Sequence, residues 1–175
     1  AHAVGGDPKL LEEVRLGVYS VATDNDAMLA RFASAINSFS ETGGWWNRLL
    51  SLGEANEATL DLKKMGIFPL VHGIRSLALQ QRLNDTGTVA RIDALVAAGL
   101  LTAAFGADLT ESLHFFMGLK LKVGLLELSR KRPISAGIQI STLSSLDRDL
   151  LKDTLGVVKR FKTQMRQHFH LDMVS

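Results

Sequence analysis

The sequence predicts an all-α protein, a four-helix-type up-and-down bundle with accessory helices. Three observations lead to this prediction. Apolar residues recur at spacings of three and four along most of the 175 residues. Only three prolines are present, which suits long helices better than a β protein rich in turns. Aromatic residues make up 6% of the chain, so the core is expected to consist mainly of Leu, Ala, Val and Ile.

The length fits a single helical domain, residues 1–175, with a sizeable core. We expect residues 1–60 to supply N-terminal helices and residues 61–175 the core bundle. Because the sequence begins without Met, we expect it to be a fragment of a longer multidomain protein. The absence of cysteine excludes disulfides, thiolate zinc sites and cysteine nucleophiles, and it suits a reducing cytoplasm. No apolar run approaches the roughly 18 residues of a membrane-spanning helix, and no signal peptide is visible.

The formal net charge of +2 conceals an uneven distribution. Residues 1–60 hold four Lys/Arg and eight Asp/Glu, whereas residues 61–175 hold sixteen and ten. A basic half can attract phosphate or nucleic acid, although the solvated face of helices is the commoner explanation. Nucleic acid is an unfavoured partner, since the basic residues are not interleaved with exposed aromatic residues.

Two helices are predicted before residue 40. Asp7 and Pro8 are typical of a cap followed by a first-turn proline. An apolar stripe then follows, and residues 23–26 form a break rich in capping residues. Residues 45–52 are predicted to form a short helix that brings both tryptophans to the surface of the core. The first stripe contains Leu11, Val14, Val18, Val21 and Ala22, and the second Met28, Leu29, Phe32, Ile36 and Phe39.

Residues 61–83 are the stretch around which the chain is organised. They open with alternating acidic and basic residues, and Gly66 is predicted to turn the chain into an apolar helix. Pro69 fits the first turn of that helix. One face must be buried, because apolar residues repeat at helical spacing. These residues are Ile67, Leu70, Val71, Ile74, Leu77 and Ala78.

Two further helices are predicted between residues 88 and 130. Thr88 is a good N-cap for the first, and Gly99 a C-terminal glycine cap. Residues 100–106 are expected to be a connector. The second helix, from residue 108 to about 130, is predicted to be central because it carries two adjoining apolar rows. Gly118 and Gly124 are expected to mark close helix–helix approach, or else a local bend. The rows are Leu113, Met117, Leu121, Leu125 and Leu128, and Leu109, Phe116, Leu119, Val123 and Leu126.

The last helix is predicted to follow a loop at residues 130–143 that includes an extended piece at 138–140. Ser144 should cap this helix, with Asp147 in the first turn, where the helix dipole favours an acidic residue. Its apolar positions also recur at spacings of three and four. They are Leu151, Leu155, Val158, Phe161, Met165 and Phe169.

Patterns that could carry metal chemistry have simpler explanations. The aspartate pairs at residues 24 and 26 and at 147 and 149 have the spacing used to hold Mg²⁺, but capping explains both. His168 and His170 face different directions on a helix. His72, in the organising helix near Arg75, is a stronger candidate. No nucleophile elbow, Walker pattern or zinc-ligand spacing occurs, so catalysis by this segment alone is not expected.

Cations near polar helix starts remain as binding candidates. Arg and Lys beside an apolar groove can bind phosphate or carboxylate. Each alone is more often a surface charge or an ion pair, whereas together they would form an anion pocket. They are Lys63, Lys64, Arg75, Arg91, Lys120 and Lys122.

Four segments of the sequence together resemble those of a known protein family. They are residues 61–71 (DLKKMGIFPLV) with Arg75, residues 88–92 (TVARI), residues 108–121 (DLTESLHFFMGLKL) and residues 143–161 (LSSLDRDLLKDTLGVVKRF). In order and spacing they resemble the C-terminal substrate-binding domain of the bacterial nucleotidyltransferase-like signalling proteins known as the DUF294 family. Such proteins place cyclic-nucleotide-binding and CBS domains first, then a catalytic domain like that of the PII uridylyltransferase, then this helical domain.

The resemblance implies a bundle that packs against the catalytic domain and helps to hold substrate, without cofactor or catalysis of its own. It implies that Mg²⁺ and a nucleoside triphosphate are bound by the preceding domain. Five residues of this sequence match polar positions of the family pattern, and together with Lys120 they are the predicted substrate-binding residues. One departure is Val123-Gly124, where the family commonly has His-Gln. The predicted residues are Asp61, Lys63, Arg75, Thr88, Arg91 and Lys120.

Two functional hypotheses follow. A substrate-binding domain predicts that Lys63, Arg75 and Arg91 line one exposed groove. A regulatory or dimerising bundle, which transmits signals from upstream CBS or cyclic-nucleotide-binding domains, predicts instead a large apolar patch around Trp45 and Trp46. The expected partner is the preceding nucleotidyltransferase domain, with a protein acceptor and a second copy of the chain as further candidates, in a cytoplasmic protein.

Overall fold

The computed structural model describes residues 4–38 and 59–173, and these residues form an all-α bundle, as predicted. They contain six α-helices and one pair of two-residue strands, of which β1 (Thr59–Leu60) runs antiparallel to β2 (Ile138–Gln139). Phe39 and the predicted helix with Trp45 and Trp46 lie outside these ranges. The helices are α1 (Pro8–Thr23), α2 (Asp26–Ser34), α3 (Phe68–Gln80), α4 (Thr88–Ala97), α5 (Ala103–Ser129) and α6 (Ser145–His168).

Helix α3 lies at the centre and packs against α1, α2, α4 and α6. Its apolar positions Leu70, Ile74 and Leu77 are buried, as the spacing predicted. Two of its polar residues, His72 and Ser76, are buried as well, because they find partners inside the bundle. His72 Nε2 donates to the carbonyl of Phe32 at 2.7 Å, with the ring stacked on that of Phe68. His72 is therefore a structural residue.

The prediction that Gly66 turns the chain before α3 is wrong. Lys63–Ile67 form a π-helical turn that leads directly into α3, and the Asp61 carboxylate accepts from the Lys64 N–H at 3.1 Å. Gly66 is buried, and a Cβ on it would lie 2.6 Å from the ring of Phe116. Close approach of that ring, rather than a change of chain direction, explains the glycine.

Three predicted helix ends are confirmed by their hydrogen bonds or dihedral angles. The Asp7 carboxylate accepts from the Lys9 N–H at 2.9 Å, with Pro8 as the first residue of α1. The Ser144 hydroxyl accepts from the Asp147 N–H at 3.1 Å at the start of α6. Gly99, just beyond α4, has φ of +75°, a conformation that suits glycine.

Two other boundaries differ from the prediction. Gly87 rather than Thr88 occupies the N-cap position of α4. Helix α5 begins at Ala103 rather than near residue 108, because the Thr102 hydroxyl accepts from the Phe105 N–H at 3.2 Å. The expected connector up to Gly106 is thus partly helical, and Gly106 packs directly against α4.

The expectation that Gly118 and Gly124 mark close helix–helix approach is wrong. A Cβ on Gly118 would meet no neighbouring atom within 4 Å, and one on Gly124 would meet only Ile134, at 3.8 Å. The close approach is instead at Gly106, where a Cβ would lie 2.6 Å from Val96. Although α5 has 27 residues, neither it nor any other helix in the described ranges is both long and apolar enough to cross a membrane.

Helix α1 buries little of its predicted stripe. Val14, Val18 and Val21 are 52–65% exposed, and Ala22 is the one fully buried residue of the helix. The helix is turned so that Tyr19 faces the bundle, where its hydroxyl donates to the carbonyl of Leu83 at 2.7 Å. This orientation leaves an apolar face of α1 in solvent.

Candidate functional site

Helix α5 is buried along its first half and exposed along its second. Leu109, Phe116 and Leu119 are buried, whereas four residues of the other predicted row, Met117, Leu121, Leu125 and Leu128, are 55–63% exposed. The expectation that neighbours cover both rows is therefore wrong. For Leu125 and Leu128 the reason is the position of α6, which begins level with Lys122, where Asp147 accepts from Lys122 Nζ at 2.6 Å. The last turns of α5 extend beyond it.

A groove with a volume of about 640 Å³ lies along this exposed row. Its walls are formed by the second half of α5, by residues 62–71 with Thr88, and by residues 134–138. We call this surface the α5 groove. Among the residues that the structure describes, its lining is mostly aliphatic and includes no aromatic side chain. A surface of this kind gains free energy by covering apolar area.

Two cations stand at the α5 groove without partners among the described residues. Lys63 comes from the π-helical turn and Lys120 from α5, and both are exposed. The carboxylate of the groove, Glu127, is engaged, because it accepts from the Ser135 N–H at 2.9 Å and from the Ser135 hydroxyl at 2.7 Å. These hydrogen bonds, helped by the charge of Arg132, hold the pKa of Glu127 below its usual range.

A smaller pocket of about 240 Å³ adjoins the α5 groove and shares Val123, Glu127 and Ser135 with it. Arg130 and Arg132, just beyond the end of α5, belong to its lining together with polar side chains. We call it the arginine pocket. These arginines were not among the predicted binding residues, although an Arg-Lys-Arg run directly after an apolar helix is a signal in the sequence. The polar lining consists of Thr59, Ser135, Gln139 and Thr142.

The structure brings three of the six predicted substrate-binding residues together. Lys63, Thr88 and Lys120 all line the α5 groove. Asp61 lies just outside, half-buried, and holds the start of the π-helical turn through its bond to the Lys64 N–H.

Arg75 and Arg91 do not belong to the lining of the α5 groove. Arg91 Nε donates to the carbonyl of Asp85 at 2.7 Å. Burial, and then the charge of nearby Arg75, lower the pKa of Arg91. On α3, Arg75 lies one helical turn after the groove residue Val71. Arg75 and Arg91 therefore lie on the same side of the bundle as the α5 groove.

The other candidates have structural roles. Asp24 pairs with Arg82 at 3.4 Å, and His168 Nε2 lies 2.7 Å from the side-chain oxygen of Gln80. Asp147 lies in the first turn of α6, and hydrogen bonds from Lys122 and Ser144 lower its pKa. Within residues 4–38 and 59–173, no cluster of three His, Asp or Glu side chains could hold a metal ion.

Comparison with protein families gives one match. The family model described as "Putative nucleotidyltransferase substrate binding domain" (DUF294_C) matches residues 26–169. The α5 groove and the arginine pocket lie inside this range, and α1 lies before it. No curated protein matches the chain, and no solved structure does.

Proposed function

The chain belongs to the DUF294_C family, and from this premise we propose that it holds the acceptor substrate for a nucleotidyltransferase domain that precedes it in the same protein. The α5 groove carries this proposal, because it is an open concave surface that residues 4–38 and 59–173 leave unfilled. The preceding domain would resemble the PII uridylyltransferase and bind Mg²⁺ and the nucleoside triphosphate. We also propose that the whole protein is a cytoplasmic signalling protein of a bacterium.

The lining of the α5 groove suits an acceptor better than a nucleotide. Proteins hold a nucleobase by stacking on aromatic rings and by hydrogen bonds to its edge, and the groove offers aliphatic walls instead. Met117, Leu121 and Leu125 would cover apolar parts of the acceptor, while Lys63 and Lys120 would meet its negative charges. We therefore assign nucleotide binding to the preceding domain and acceptor binding to this one.

Kinetics and calorimetry on the full-length protein test the proposal. Leu121→Asp places a charge in the α5 groove without disturbing the core, because Leu121 is 63% exposed. We expect the KM for the acceptor to rise at least tenfold, with Mg²⁺-dependent nucleotide binding unchanged. The matched control is Leu146→Asp, at an α6 position that is 67% exposed and outside the groove. An unchanged KM in the Leu121 variant would refute the proposal.

The face of α1 supports a second function, a regulatory bundle that dimerises and transmits signals from upstream CBS or cyclic-nucleotide-binding domains. Leu10, Val14, Gly17 and Val21 follow the four-three-four spacing of a coiled-coil seam. The three apolar members are 61–65% exposed, and Gly17 has no neighbouring atom within 4 Å of an added Cβ. The occupant of this seam would be α1 of a second copy.

Light scattering separates the two functions. A dimer that Val14→Glu converts to a monomer, with acceptor kinetics unchanged, would establish the regulatory function as well. A protein that stays monomeric at high concentration would exclude it and leave the acceptor-binding proposal untouched.

A further inference from the structure

We propose that the α5 groove receives an amphipathic α-helix of a protein acceptor, with acidic residues flanking the apolar anchors of that helix. This inference rests on the proposed function and names the chemistry of the substrate. Three features support it, namely the linear apolar row, the open shape of the groove and the unmatched positive charge around it.

The apolar row of the groove has the form of a helix-docking surface. Met117, Leu121, Leu125 and Leu128 succeed one another at spacings of four, four and three along α5. They span about 17 Å at a rise of about 1.5 Å per residue, or roughly three helical turns. An amphipathic partner presents its own anchors at i, i+3 or i+4, and i+7, and one further anchor at i+11 extends them over the same length. Gly124, in the middle of the row, leaves room for the partner to approach closely.

The shape of the groove, as the described residues form it, favours an extended occupant over an enclosed small molecule. Pockets for small molecules bury about 70–90% of the ligand, whereas Leu121, Leu125 and Ile134 in these walls are themselves more than half exposed. A long, shallow surface of this kind contacts one side of an extended occupant. An amphipathic helix matches that demand, because its opposite face stays in water.

The charge around the groove selects an acidic helix over a basic one. Lys63 and Lys120 line the groove, and Arg130 and Arg132 line the arginine pocket that continues it. Among the described lining residues, these four cations face one carboxylate, Glu127, whose oxygens accept from Ser135. Charge complementarity of this kind steers encounter and rejects partners of like charge.

Fluorescence anisotropy with two labelled peptides tests the inference. Both are 16-residue helices with leucines at i, i+4, i+8 and i+11, one flanked by glutamates and the other by lysines at the same positions. At about 50 mM salt we expect the full chain to bind the acidic peptide at least tenfold more tightly than the basic one. This preference should shrink as salt screens the charges.

Substitutions locate the binding. Leu121→Asp should weaken binding of the acidic peptide at least tenfold, and Lys63→Glu with Lys120→Glu should reverse the preference between the two peptides. The matched controls are Leu146→Asp and Lys152→Glu, both exposed on α6 outside the groove, and these should bind as the unaltered chain does. Circular dichroism confirms that each variant is folded.

The outcomes separate this inference from the proposed function. Equal binding of the two peptides, tighter binding of the basic peptide, or no binding of either would overturn the acidic-helix inference. The acceptor KM of the Leu121→Asp variant still decides the proposed function. If that KM rises while the peptides show no preference, the groove holds an acceptor of another chemistry, and only this inference fails.

Discussion

Replacing Gly73 by alanine should destabilise the protein, although alanine is the better helix former. Gly73 lies within α3 where this helix meets α6. A Cβ at this position would overlap Cε1 of Phe161, and it would lie 2.9 Å from Cζ of the same ring and 3.5 Å from Cγ of Met165. Phe161 and Met165 are both 0% exposed, so the ring cannot move outward into solvent.

The magnitude follows from two opposing contributions. Alanine in a helix interior is favoured over glycine by about 1 kcal/mol. Overpacking a dense core costs about 1–3 kcal/mol, and the upper part of that range applies because Phe161 also packs against Phe105, with ring centroids 6.3 Å apart. We expect a net loss of about 1–2 kcal/mol in the free energy of unfolding. For a chain of this length each kcal/mol lowers Tm by about 2–4 °C.

Urea denaturation followed by circular dichroism measures this change, and α5 provides the control. Gly118→Ala makes the same substitution in a helix where the added methyl group would meet no atom within 4 Å. That variant should gain about 1 kcal/mol. If Gly73→Ala were stabilised as much as Gly118→Ala, the packing argument at the α3–α6 contact would be refuted.

Three further changes test other parts of the structure. The hydrogen bond from Lys122 lowers the pKa of Asp147 below 3.8 in the folded protein. Ionised Asp147 therefore stabilises the fold at pH values above its pKa in the unfolded chain, and this stabilisation is lost as the pH falls through its pKa in the folded protein. Asp147→Asn should therefore flatten the acid limb of a stability–pH curve, and an unaltered limb would contradict this. Lys131→Gly should raise the unfolding free energy by about 1 kcal/mol, since Lys131 has φ of +54° after α5; a lower thermal midpoint would count against it. His72→Leu should cost about 1–3 kcal/mol in urea, because the Phe32 carbonyl loses its donor, and a neutral result would show that this bond contributes nothing.

Helix ends were the part of the fold that the sequence predicted best, because a cap depends on neighbours within three residues. Asp7 and Ser144 each bond to backbone N–H groups two or three positions away, so their identity in the sequence was sufficient. Thr102 obeys the same rule, but residues 100–106 were predicted to be a connector.

The α5 groove could not be predicted in the same way, because it depends on which neighbours cover α5. The two apolar rows predicted a central helix with several neighbours, but most of one row is exposed. The sequence did not show that α6 starts level with Lys122 and leaves Leu125 and Leu128 open. Of the predicted cations, Lys63 and Lys120 meet there, but tertiary packing places Arg91 elsewhere, beside Asp85.

The π-helical turn before α3 has an evolutionary consequence. Such a turn holds one residue more than an α-helical turn, so deleting one residue within 63–67 would restore α-helical geometry. Because the wide turn absorbs the extra residue, the residues before the deletion would keep nearly the same orientation relative to α3. Leu70 and Ile74 would keep their places in the core, and one side chain of residues 63–67 would be lost beside the α5 groove. Single-codon deletions at this point can therefore alter the edge of the groove and spare the fold.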